Sequence, residues 1–522
     1  MNQLNEWLLR NRVAVVVASN VAVALACLIG APLHGESIGR ALYAVALFAL
    51  CTAPLALLSS FTSRYILLAI FMGVYYEHFG AVDLQAMLVG EDVVLLRDGF
   101  LTRAEFAVLM SGVLISGGYV LVARALGPGR GRAPRDWMPA LMLIGGVALW
   151  VAGICATAYL GIFVAPERSN YSMAHGLAAM GALLTFAVML ATMAGQLGLL
   201  IIAYGYARYR GPVWAGLMAV IIITQLVVGF LVDVKGTAFI PLMLVIVVRT
   251  LVDNRLPLAW VVGGLASLIV LFPIYQANRV VMGELGYDRL QALGQIDRVI
   301  ELAVQSTQKE QSLRPGERTQ SFVERGYVKD NVEQVIQHVG TDLPFLHGES
   351  LSDIPLTFVP RFLLPDKEHL SIGQLFARKI GKQDSDVFIS ISFVGDLYWN
   401  FGWPGVICGM LGMGLLLGLV GVRFGLEQGV TLTGVLVLLV TVQNLCLGFE
   451  SEVSAMFSTW LRSMAAVVLL HVVFAKRVMA QAQSEADAAS ALLAADRSVT
   501  RDTTPSLPAP ALARPRFPNL MT

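Results

Sequence analysis

Charge is scarce in this 522-residue chain: 14% of its residues are Asp, Glu, Lys or Arg, against about 25% in a globular domain. The net charge is +1, so no global field points to nucleic acid as a partner. Cysteine is equally thin. Cys27, Cys51, Cys155, Cys408 and Cys446 all fall in apolar blocks, which excludes a disulfide framework and makes them small packing residues. The seven histidines are scattered, so no metal site is expected. No Walker A sequence, HExxH, GxSxG or paired CxxC occurs, and with them go the common soluble-enzyme chemistries. No internal repeat is visible, so the pattern of an inverted-repeat transporter is missing too. The N-terminus lacks a small-residue cleavage site, and Val13–Ala31 reads as a retained span.

Apolar residues are what the chain has in abundance. Hydrophobic residues make up 56% of it and the mean hydropathy is +0.69. They come in blocks near the roughly 20 residues that cross a bilayer. The expectation is an all-α polytopic membrane protein with twelve transmembrane helices. Nine precede a long polar segment: Val13–Ala31, Ile38–Leu58, Tyr65–Tyr76, Ala104–Val122, Met138–Phe163, His175–Tyr204, Val213–Leu231, Ala238–Leu251 and Leu256–Tyr275. Three follow it: Trp403–Val422, Val430–Phe449 and Val453–Phe474. The domain division is then 1–275 for the first nine helices, 276–395 for the loop domain, 396–475 for the last three helices, and 476–522 for a tail. That tail is Ala-rich, then Pro-rich, and reads as disordered.

Lys and Arg in the short loops set the orientation. Arg10, Arg12, Arg64, Arg124, Arg130, Arg132, Arg135, Arg208, Arg210, Arg255, Arg423, Lys476 and Arg477 all fall on one side if there are twelve spans. Both termini are then cytoplasmic and the 276–395 segment lies outside. With 13 Lys/Arg and 16 Asp/Glu, that segment is no polyanion patch. Leu290, Leu293, Ile296, Ile300 and Ala303 recur at helical spacing. So do Val328, Val332, Val335, Ile336 and Val339. Two amphipathic helices are predicted, broken near Arg314-Pro315-Gly316, as a lid over the bundle or as an inert cap.

A charge within or beside a span needs a partner or a task. Asp233 and Lys235 sit in the outer turn between the seventh and eighth spans, and Arg279 closes the ninth. Snorkelling to headgroups is the plain alternative for Lys235 and Arg279. Arg462 lies well inside the last span, with Glu450, Glu452 and Asn444 as candidate partners. Arg325, Arg361 and Lys367 bring further cations to the polar segment. Converging cations at a membrane surface suit a pyrophosphate-bearing lipid, since Arg grips phosphate oxygens bidentately and Lys acts as a point charge. Tyr398, Trp399, Phe401 and Trp403 fit an interfacial aromatic belt, and the same rings could stack on sugars.

The run HGESLSDIPLTFVPRFLLPDKE, followed by GDLYWNFGWPGV, resembles the Wzy-type polysaccharide polymerases of bacterial O-antigen and exopolysaccharide pathways. Gly348, Ser350, Pro360, Arg361, Pro365, Lys367, Gly395, Asp396, Tyr398, Asn400, Phe401 and Gly402 carry the likeness. DVKG after the seventh span and YQANR at the end of the ninth add to it. The resemblance covers the second half of the chain; the first six spans match in hydropathy alone. Two departures are Asp366-Lys367-Glu368 in place of a Lys-Pro ending, and Asp396 where Glu is commoner.

The resemblance implies a GT-C-like bundle with a large helical extracytoplasmic loop, in the inner membrane. It implies metal-independent and cofactor-free transfer of a growing glycan from undecaprenyl pyrophosphate to the next lipid-linked repeat unit. A flippase and a chain-length regulator of the same pathway would be partners. Fixed cations would stabilise the charge that develops on the departing pyrophosphate. Lys235, Arg279, Arg325, Arg361 and Lys367 are candidates for that task. Asp396 is the first candidate for the base at the acceptor hydroxyl, ahead of Glu349 and His369, with Asn400 and Tyr398 placing the acceptor. An O-antigen ligase shares the donor and the architecture, and a lipid-linked oligosaccharide flippase is the alternative from another class.

Overall fold

The structure is a computed structural model of the full chain. It describes residues 2–89, 101–127, 136–160, 182–232, 235–267, 271, 274, 294, 297–301, 304–305, 328–352, 354–359, 372–380, 389–424 and 426–474. Met1–His471 form one compact unit; of the second, Val472–Thr522, only 472–474 are described. Among the described residues there is no strand, only one isolated bridge between Val339 and Leu343.

The helices run in order α1 (Asn2–Arg10), α2 (Arg12–Leu33), α3 (Ile38–Ala56), α4 (Ile66–Phe79), α5 (Ala81–Val89), α6 (Arg103–Leu126) and α7 (Pro139–Tyr159). Then come α8 (Ala182–Tyr209), α9 (Pro212–Val232), α10 (Lys235–Asp253) and the short apolar α11 (Leu258–Ser267). After them follow α12 (Lys329–His338), α13 (Ile372–Lys379), α14 (Ser392–Arg423), α15 (Leu432–Thr441) and α16 (Val453–Phe474). Among the described residues nine helices are long and apolar enough to cross a membrane, α15 counting with its continuation as Leu432–Glu450; α4 and α5, bent by 57°, form either a broken tenth span or a re-entrant loop. This is a polytopic helical membrane protein. The expected eighth and ninth spans fall on α10, charged at both ends, and on α11.

Hydrogen bonds sort the helix ends into two layers. In one, Arg12 Nε donates to Ala56 O (3.0 Å), Phe61 N to Asn254 Oδ1 (2.9 Å) and Asn5 Nδ2 to Leu256 O (3.3 Å). There too Arg64 N donates to Glu427 (3.0 Å) and Leu432 N to Asp136 (3.1 Å). The basic loops described, with Arg10, Arg12, Arg64, Arg124, Arg208, Arg210, Arg255 and Arg423, therefore share one end of the bundle. The opposite end carries α5, the start of α6, α12 and the start of α14. The predicted amphipathic helix at Val328–Val339 is present as α12, and its five apolar positions are all buried.

Close approach holds the spans together, because lipid offers no hydrophobic drive between helices. A Cβ on Gly153 of α7 would lie 2.2 Å from Gly195 Cα of α8, and one on Gly414 of α14 2.3 Å from Ile115 O of α6. Each glycine lets two backbones touch. Gly153→Val should therefore lower Tm and monodisperse yield, by about 1–3 kcal/mol or more of overpacking, whereas Gly216→Val, with open space around it, should not. Equal thermal-shift curves for the two variants would contradict the packing described.

Candidate functional site

At the end of the bundle opposite the basic loops, α14 is two helices joined at a break. Gly402 adopts φ 65°, ψ −149°, a backbone that glycine tolerates best. Pro404 lacks an N–H, so the carbonyl of Asn400 has no donor four residues on. The break likewise takes Trp403 away from the Trp399 carbonyl. The polar segment supplies the missing donors: Leu346 N reaches Trp399 O (3.0 Å) and His347 N reaches Asn400 O (3.1 Å). Trp399 Nε1 closes the contact on Pro344 O (3.1 Å).

A polar clasp sits behind this junction. Ser350 Oγ donates to Asp396 Oδ1 (2.9 Å). Asn400 Nδ2 donates to the same oxygen (2.8 Å) and to Ser350 Oγ (2.6 Å). Gly348 N donates to Asn400 Oδ1 (3.0 Å). Asp396 Oδ2 takes the N–H of Val453 (2.8 Å), at the first residue of α16, where a helix N-terminus favours a carboxylate. Asp396 and Asn400 are wholly buried, and the i, i+4 spacing stacks them on one helix face.

A second anchor lies at the start of α12. Lys329 Nζ donates to both Asp83 oxygens (2.9 and 2.8 Å) and to Glu105 Oε1 (3.2 Å), and stands 4.6 Å from the centre of the Tyr43 ring. Arg40 Nε donates to Asp83 Oδ1 (2.7 Å) and its Nη1 to Glu36 (2.6 Å). Glu105 also caps α6, accepting from Thr102 N (3.0 Å), and Glu333 of α12 takes Ala104 N (2.7 Å) in the same turn. Lys329, Arg40, Asp83 and Glu105 are all at most 4% exposed. Removing one partner from such a group leaves a buried charge uncompensated, at about 3–5 kcal/mol. Among the described residues no group of three His, Cys, Asp or Glu is placed to hold a metal ion.

The structure brings Asp396 and Asn400 together around Ser350, and Glu349, the residue before Ser350, is exposed on the turn that follows Gly348. Tyr398 is buried between Phe345 and Trp403. Lys235 starts α10, but its side chain lies outside the described residues, as do Arg279, Arg325, Arg361, Lys367 and His369. Arg462 donates to Ser458 O of its own helix (3.1 Å); no ion pair joins it to Glu450 or Glu452. The Glu452 carboxylate accepts instead from Ile372 N (2.7 Å), and the backbone carbonyl of Glu450 accepts from Ser390. Sequence reasoning passed over Glu36, Arg40, Asp83, Glu105 and Lys329. The signal was there for Arg40, a charge just inside a predicted span.

Asp330, next to Lys329, titrates unusually. Burial above all pushes its carboxyl from 3.8 up to about 6, with Lys329 pulling the other way. A raised folded pKa gives stability that is complete below the unfolded value and is lost as pH rises through the folded one. Asp330→Asn should therefore gain Tm over the parent chain as pH climbs from about 4 to above 6. A Tm difference that stays constant across that window would contradict the assignment.

Residues 158–481 match a family described as a domain of unknown function, DUF8712. No curated protein and no solved structure matches the chain. The matched range holds α8–α16, Lys329 and the whole Ser350–Asp396–Asn400 clasp, and leaves out α1–α6 with Asp83 and Glu105. It spans more than half of the sequence, and the chain belongs to the DUF8712 family.

Proposed function

We propose that this protein is a membrane glycosyltransferase that polymerises lipid-linked oligosaccharide repeat units, on a GT-C-like bundle in a bacterial inner membrane. One observation carries the reading. Ser350, Asp396 and Asn400, three residues of the polymerase-like sequence, meet in a single buried clasp although 46 and 50 positions separate Ser350 from its partners. Gly348 and Gly402 of the same motif shape the backbone on either side. Motif residues that also converge in space support reading this junction, at the non-basic end of the bundle, as the site.

The reaction breaks the bond between the sugar C1 and the pyrophosphate oxygen and joins C1 to an acceptor hydroxyl oxygen. The hydroxyl proton goes to a base, and the electron pair leaves with the pyrophosphate. Both oxygens of Asp396 are taken by protein donors, so its role in this proposal is to hold the clasp. Glu349, exposed on the adjoining turn, is the carboxylate that water and an acceptor can reach, and it takes the role of base. Arg361, Lys367, Arg279, Arg325 and Lys235 remain the cations proposed for the pyrophosphate.

Purified full-length protein given a defined undecaprenyl-pyrophosphate-linked repeat unit should produce a ladder of lengths on a gel. Transfer to lipid A-core alone would make it a ligase, and no transfer at all would overturn the reading. Glu349→Gln should slow laddering by about 100-fold or more with an unchanged Tm. Asp396→Asn should lower Tm along with activity, since a donor then faces the N–H of Val453.

A further inference from the structure

The basic end of the bundle holds a charge arrangement that the proposed reaction does not use. Asp253, the last residue of α10, is 5% exposed and meets three guanidinium groups. Arg210, from the α8–α9 turn, is in contact with its Oδ1. Arg249 Nε and Arg255 Nε stand 3.5 and 3.8 Å from its Oδ2. Arg210 and Arg249 alone already outweigh the one carboxylate they share.

The arrangement is built rather than incidental. Arg249 is fixed between two rings, with its guanidinium carbon 5.3 Å from the Tyr206 centre and 5.7 Å from the Trp260 centre. Its Nη1 also donates to Tyr206 Oη (2.9 Å). Arg210 and Asn254 both take left-handed backbones, φ 51° and 48°, so the two turns that carry the arginines are tightly shaped. The Arg210 side chain is 55% exposed, so the guanidinium that meets Asp253 is also open to the surroundings. Tyr209 and Trp214 stack beside it at 5.7 Å. Planar donors that exceed their carboxylate, framed by amphipathic rings at the ends of apolar helices, have the chemistry of a phosphate site at headgroup depth.

We propose that the Arg210–Arg249–Arg255 cluster around Asp253 binds the phosphate of an anionic phospholipid in the membrane leaflet at that end. The rings place the occupant in the lipid layer, and the excess positive charge selects an anionic headgroup over a zwitterionic one.

Native mass spectrometry of the full-length protein, released from vesicles of phosphatidylglycerol and phosphatidylcholine, reads the result directly. Phosphatidylglycerol should be retained in preference, and the double variant Arg210→Gln/Arg255→Gln should lose about 10-fold or more of that retention, a difference of about 1.4 kcal/mol. Arg124→Gln, which removes an exposed arginine from the same end of the bundle, should retain phosphatidylglycerol like the parent. Equal losses in the two variants would mean diffuse attraction to basic loops and would overturn the site. Inorganic phosphate that raises Tm as much as phosphatidylglycerol would overturn the lipid as its occupant. If the double variant lowers Tm in neutral detergent, Arg210→Lys is the second test: it keeps the charge, and a similar fall in retention supports bidentate recognition, whereas full retention contradicts it.

Discussion

A helix that breaks at the edge of a membrane must find donors for the carbonyls it frees, and this requirement organises the end of the molecule opposite the basic loops. Gly402 and Pro404 interrupt α14, and the N–H groups of Leu346 and His347 take up the carbonyls of Trp399 and Asn400. An unpaired backbone group there would cost more than the roughly 1 kcal/mol that a hydrogen bond contributes net. The break is therefore stable only with the polar segment docked, and the segment is held in register by the helix it completes. The Ser350–Asp396–Asn400 clasp fixes the same junction through side chains, and Asp396 extends it to the start of α16.

The start of α12 is held by charge. Lys329 reaches two carboxylates that belong to different helices, Asp83 of α5 and Glu105 of α6, and Arg40 ties the first of them to α3. Burying this many charges contributes little net stability, since desolvation offsets most of the attraction. What it contributes is position: a wrong docking of α12 strands charges with no solvent to take them. Ion network and hydrogen-bonded clasp thus hold one segment at two places, at Lys329 where α12 starts and at Gly348 and Ser350 beyond its end, and Glu349 lies between those last two. A carboxylate on a turn held at both sides is preorganised without being buried, which suits the base proposed for a membrane-surface acceptor.

Much of this was legible in the sequence. Apolar blocks gave the spans, and the basic loops that the sequence placed on one side do share one end of the bundle. The five apolar residues of α12 announced the helix by period alone. GDLYWNFG marked the junction at α14, although it was read as a loop-to-span entry at Trp403, where the helix begins at Ser392. Partnership was not legible. Asp83 and Lys329 are 246 residues apart, and nothing local in either marks the other. Asp396 was legible as an acid in a motif; the three donors that meet its oxygens were not. Arg462 looked paired because acids lie near it in sequence, yet it bonds to Ser458 O of its own helix and Glu452 takes Ile372 N.

The central claim is that the polar segment and the broken α14 form one substrate site. An electron cryomicroscopy map of the full-length protein bound to a non-hydrolysable lipid-linked repeat unit tests it most directly. The account predicts sugar density beside Glu349 on the turn after Gly348, with the clasp intact behind it. Sugar density at the opposite end of the bundle, or a clasp opened with Asp396 turned to the ligand, would contradict it.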